Sequence, residues 1–134
     1  MNNILAWNGS VVAGEGKRGR GICDFSPGSV VRYNLFHRNR VAALLRGDRD
    51  YRRVRVAERV LQDPDLEANL DGNLRFAGRK PPRRASKATA ADFALGRLAR
   101  NPAANAGDPD PDAANADGSR NTIGHTGGPF GVHF

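Results

Sequence analysis

The stretch Val41-Ala42-Ala43-Leu44-Leu45-Arg46-Gly47-Asp48-Arg49-Asp50-Tyr51-Arg52-Arg53-Val54-Arg55-Val56-Ala57-Glu58-Arg59-Val60-Leu61 decides how this chain is read. Its first five residues are apolar and suit a strand or a helix. Tyr51 to Val56 alternates over its last residues, as a half-buried strand does, yet Tyr51, Val54, Ala57, Glu58 and Leu61 share one helical face. Gly47-Asp48-Arg49-Asp50 between the two halves has turn composition. The expectation is a hairpin turning at those four residues, with a helix over the second half as the competing assignment.

Upstream, the pattern is β-like. Ile4-Leu5-Ala6-Trp7 ends at the turn dipeptide Asn8-Gly9, and Val11-Val12-Ala13 leads into a basic glycine-rich loop, Gly14 to Gly21. Ile22-Cys23-Asp24-Phe25 and the β-branched, aromatic run Val30 to Phe36 read as strands flanking the Pro27-Gly28 turn. Downstream, Asp63-Pro64 ends the ambiguous element, Pro64 to Leu70 suits one helical turn, and Asp71-Gly72 turns into a last short strand, Asn73 to Phe76. No internal repeat stands out. Gly78 to Ser86 is a basic linker around Pro81-Pro82. Residues 88–100 suit an amphipathic helix, with Thr89 as N-cap, Asp92 in the first turn and Pro102 as its stop. Residues 101–119 lack any large apolar group and cannot offset the entropy of ordering alone.

These readings give an α+β, β-rich chain. A small barrel-like or hairpin-built body covers 1–77, a basic Pro-containing linker 78–87, one helix 88–100, and an extended acidic tail 101–134 with an apolar C-terminal anchor. In architecture alone, the glycine-punctuated strands with basic loops resemble small SH3-like or OB-like barrels.

The chain has 134 residues and a net charge of +7. That charge is uneven: residues 1–100 hold 20 basic and 10 acidic groups, whereas residues 101–134 hold one Arg and four Asp. Such asymmetry points to a polyanionic partner for the basic part. Arg dominates Lys, and Arg makes bidentate contacts with phosphate and carboxylate. The candidate polyanion- or acidic-partner-binding residues are Lys17, Arg18 and Arg20 in the first loop, Arg49, Arg52, Arg53 and Arg55 around Tyr51, and Arg79, Lys80, Arg83, Arg84 and Lys87 in the linker. Phe130, Val132 and Phe134 alternate at the C-terminus and suit an extended strand that anchors on a partner subunit.

The remaining motifs favour bland readings. Gly16-Lys17 lacks the upstream glycine and following hydroxyl of a phosphate loop. Arg46-Gly47-Asp48 and Asn8-Gly9-Ser10 read as turns, since the first ten residues do not resemble a secretory signal. Cys23 is the single cysteine, and His37, His125 and His133 are scattered, so no metal site or cofactor is expected. No catalytic constellation stands out, and no apolar run is long enough to span a bilayer. The expected function is therefore non-enzymatic: a minor structural component of a large assembly, in the first place a bacteriophage virion, bound to neighbouring protein subunits through its C-terminal arm. The alternative is a cytoplasmic nucleic-acid-binding protein, such as a ribosome-associated or regulatory factor.

Overall fold

The computed structural model describes residues 2–6, 19–26, 28–74, 89, 95–96 and 100–124. The chain divides into two compact units, 1–72 and 73–134. The first is α+β and β-rich, with three small sheets and one short helix.

Its strands are β1 (Ile4–Ala6), β2 (Arg20–Asp24), β3 (Val31–Arg32), β4 (Leu35–His37), β5 (Ala42–Arg46), β6 (Arg49–Tyr51), β7 (Leu66–Glu67) and β8 (Leu70–Asp71); helix α1 (Val54–Leu61) lies between β6 and β7. The sheets are ordered β1-β4-β8, β2-β5-β6 and β3-β7. Every pairing except β5 with β6 is parallel. The chain thus visits three sheets in a fixed order, returns to the first, and visits them again. Ile4 pairs with Leu35 and Leu35 with Leu70; Val31 pairs with Leu66. This is the path of a parallel β-solenoid, in which each coil buries its apolar residues against the next. It is not the expected closed barrel: each sheet has two ends, and none closes on itself.

The corner between the third and first sheets explains the path. Val30 to Phe36, expected as one strand, breaks at Tyr33, which adopts a left-handed φ of 52°. Asn2 and Ala68 hold the same conformation at the equivalent corners, with φ of 59° and 54°. Each is followed by an asparagine and an aliphatic residue: Asn3-Ile4, Asn34-Leu35 and Asn69-Leu70. A left-handed non-glycine residue is unfavourable by itself; at two of the corners the next asparagine spans it, Asn34 Nδ2 donating to Arg32 O and Asn69 Nδ2 to Glu67 O. The chain therefore does contain a repeat, carried by three residues per coil. Its rungs lie 31 and 35 residues apart, so a fixed period does not reveal it.

The deciding stretch resolves into both of its readings. β5 and β6 form the expected hairpin, with Gly47 and Asp48 at its tip and Leu44 opposite Tyr51. The second strand stops at Tyr51, and the helix takes over at Val54. Helix wins there because Val54 and Ala57 reach the core at helical spacing just beyond Tyr51, the buried end of β6. The core joins them to Val31, Phe36, Ala43, Leu44 and Leu66, with Leu5 and Ile22 packed partly buried against it. Gly21 sits where Phe36 and β5 close in: a Cβ there would lie 2.5 Å from the Ala43 carbonyl oxygen and 2.7 Å from the Phe36 ring. Pro64 to Leu70 forms β7, the Ala68 corner and the start of β8, not a helical turn.

In the second unit, the expected helix over 88–100 falls mostly outside the described residues. Leu95 and Gly96, near its centre, are not helical. Residues 101–124 are folded back on themselves and are not extended: Ile123 N donates to Ala103 O, and Gly107 N donates to Asn121 O. Ile123 and Ala103 are fully buried there, and polar groups make most of the remaining links. The Asn115 side chain donates to Ser119 Oγ, Arg120 O and Thr122 Oγ1, and accepts from Thr122 N. Asp108 and Asp110 each accept from the amide two residues on, leading into a 3-10 turn at Pro111–Ala113.

Candidate functional site

The asparagines of the three corners form a ladder. Asn3 N and Nδ2 both donate to Asn34 Oδ1, each at 3.2 Å. Asn34 N and Nδ2 donate in turn to Asn69 Oδ1 at 3.0 and 3.1 Å. Asn69 N and Nδ2 then donate to Glu58 Oε1 at 2.9 and 3.1 Å. Glu58, on the inner side of α1, thus takes the place of a fourth asparagine. Asn34 and Asn69 are both 2% exposed, so each of these polar groups needs its partner.

The same helix closes this end of the stack in two further ways. Its first amides, which lack an N-cap side chain, are held by Asp71 of β8: Val54 N donates to Oδ1 at 3.0 Å and Arg55 N to Oδ2 at 3.3 Å. On the second sheet, antiparallel β6 occupies the place that a further parallel rung would take beneath β5.

The opposite end has no such closure among the described residues. β1, β2 and β3 are each the terminal strand of their sheet. All three residues of β1 are half-buried, whereas all three of β4 beneath it are buried. β2 is likewise more open than β5.

Charged side chains divide into paired and outward-facing groups. Arg20, expected to bind a partner, is bound to Asp50 through two hydrogen bonds, Nη2 to Oδ2 at 2.8 Å among them. That bond holds the Asp50 carboxyl below its ordinary range. Arg46 reaches Asp63 at 2.7 Å and buried Asp24 at 3.5 Å, and Arg32 pairs with Asp65 and Glu67. Arg49, Arg52, Arg53 and Arg55 are exposed as expected, and Arg59 joins them. Among the described residues, these five make no ion pair; Arg49 lies over the Tyr51 ring at 5.3 Å. On α1, Arg55 and Arg59 share the outer side with Val56 and Val60, which are about half exposed. Lys17, Arg18, Arg79, Lys80, Arg83, Arg84, Lys87, Phe130, Val132 and Phe134 lie outside the described residues.

His37 is the one histidine among the described residues, and it is buried. Its Nδ1 lies 2.7 Å from Gly72 O, and burial pulls its pKa below the ordinary histidine value. Cys23 is exposed on β2. Among the described residues, no three His, Cys, Asp or Glu side chains gather to hold a metal ion, and no helix is long and apolar enough to cross a membrane.

Sequence reasoning missed the ladder and Glu58. The available signal was the recurrence of Asn and an aliphatic residue at the start of strand-like segments, as Asn3-Ile4, Asn34-Leu35 and Asn69-Leu70. Comparison with protein-family models, with curated proteins and with solved structures finds no match.

Proposed function

We propose that this chain is a non-enzymatic assembly module that binds a neighbouring protein subunit. The observation that carries the reading is the asymmetry of the coil stack. One end is sealed by Glu58, Asp71 and β6, while β1, β2 and β3 end their sheets at the other. Strand edges with no pairing strand among the described residues, beside half-buried aliphatic residues, favour strand addition by a partner. The proposed setting is a large assembly, with a virion as the first instance. The test is incorporation of tagged full-length chain into its native assembly, followed by gradient sedimentation. Leu5→Lys with Ile22→Lys, checked for retained fold by circular dichroism, is expected to abolish incorporation. Folded double variant at wild-type occupancy would contradict the proposal.

A second reading rests on the arginines around α1. Arg49, Arg52, Arg53, Arg55 and Arg59 form an exposed basic group beside Tyr51, suited to phosphate contacts on a nucleic acid. Fluorescence anisotropy with labelled duplex and single strands tests it. Affinity should fall steeply with salt, and the salt slope should shrink by roughly one per phosphate contact removed when Arg52, Arg55 and Arg59 become Gln. Absence of binding at low salt would dismiss this reading.

A further inference from the structure

We infer that the open end accepts a further parallel coil bearing its own left-handed corner, asparagine and aliphatic residue, presented by a neighbouring chain. This rests on the assembly reading above and specifies the partner. Three features of the rungs define the chemistry. First, the pairing at all three sheets is parallel between coils, so an incoming coil that follows the same path engages all three terminal strands at once. Second, the ladder has a direction: each asparagine donates its backbone and side-chain N–H groups to the next rung toward α1. An incoming coil that keeps this direction presents its own asparagine N–H groups toward the first coil. Third, the aliphatic position is filled in every rung, by Ile4, Leu35 and Leu70, and an added Ile, Leu or Val would cover the half-buried Ile4.

The hydrogen-bonding parity of β1 supports the same geometry. Leu35 N donates to Asn3 O, which turns the backbone of Asn3 and Leu5 toward β4 and that of Ile4 and Ala6 toward the outer edge. Ile4 and Ala6 are thus the residues whose backbone would receive the new strand.

A second copy of this chain does not meet the requirement. Its sealed end carries antiparallel β6 and α1 where a parallel rung is needed. Two open ends meeting about a two-fold axis would bring β1 against its own copy in antiparallel fashion, which breaks the ladder.

The test places a copy of residues 3–33 directly ahead of Asn3 in the full chain. This sets the added asparagine 31 residues before Asn3, the spacing that separates Asn3 from Asn34. Amide hydrogen exchange at Ile4 and Ala6 should slow at least tenfold relative to the parent chain, and the melting temperature should rise. Replacing the added asparagine by Ala, or introducing Ala6→Pro at the receiving edge, should remove most of that gain. Unchanged exchange at Ile4 and Ala6 would overturn the inference, as would sedimentation of the parent chain as a dimer protected at those amides. If the Lys variants lose incorporation while the added coil fails to stack, the open end binds something other than a parallel coil, and the assembly proposal stands without this inference.

Discussion

The two coils of the first unit follow the same path but differ in what lies beyond them. In the second coil, β4 is wholly buried, β5 is buried over its first three residues, and Asn69 ends the ladder on a carboxylate. In the first, β1 is half-buried throughout and Cys23 faces solvent. The difference comes from one insertion: the β6–α1 segment sits after β5, with no counterpart described after β2. Each repeated unit of a solenoid needs a neighbour or a cap on both sides. Among the described residues a cap is supplied on one side only, and the proposed partner is assigned to the other side.

The comparison is most easily broken by truncating equivalent apolar residues. Leu44 is fully buried, so Leu44→Ala should cost about 3 kcal/mol, whereas Ile22→Ala, at the paired position on β2, should cost about 1 kcal/mol. Urea denaturation of both variants checks this, and equal losses would remove the asymmetry. Next come the ladder variants. Asn69→Ala removes the side-chain donor to Val31 O, Glu67 O and Glu58 Oε1 and the acceptor of Asn34 N and Nδ2. It should cost about 2 to 3 kcal/mol, against under about 1 kcal/mol for Asn3→Ala. Gly21→Ala sharpens the comparison from inside, because it forces a methyl between the coils against the Ala43 carbonyl and the Phe36 ring. Overpacking there should cost about 2 kcal/mol, read as a lowered denaturation midpoint.

The smallest effect concerns pH. Burial lowers the His37 pKa in the folded chain from the ordinary 6.5. The unfolded chain therefore takes up a proton first on acidification, and stability rises with pH over that range. The melting temperature should be level above neutrality and decline as pH falls through 6.5 toward the lower folded value. His37→Gln should flatten that decline. A decline of equal steepness in the variant would assign the effect to other groups.

Much of the local structure was legible before the fold. Ile4 to Ala6 and Ile22 to Asp24 read correctly as strand, and Gly47-Asp48 marked the turn of a real hairpin. The helical face of Tyr51, Val54 and Ala57 was visible as well; only burial against the parallel strands decided for helix over strand after Tyr51. The coil path was not legible, for a physical reason. Strands of two or three residues carry almost no periodicity, and their partners are more than twenty residues away. Left-handed Tyr33 and Ala68 contradict the usual preference for Gly or Asn at such positions, so the corners were hidden too. Of the candidate site, the charge of Arg49, Arg52, Arg53 and Arg55 is read directly from the sequence, and the structure leaves these four exposed. The pairing of Arg20 was not legible, because its partner Asp50 is brought to it only by the β2–β5–β6 sheet. Glu58, which ends the ladder, looked like an ordinary charge on a helix.

The most direct test of the account is residue-resolved hydrogen exchange on the full chain, alone and within its native assembly. The account predicts slow exchange at β4 and β5 in both states. It predicts exchange at the outer edges of β1 and β2 at least about tenfold faster in the isolated chain, slowing on assembly. Equal protection of β1, β2, β4 and β5 in the isolated chain, unchanged by assembly, would contradict the claim that one end of the stack is open and made for a partner.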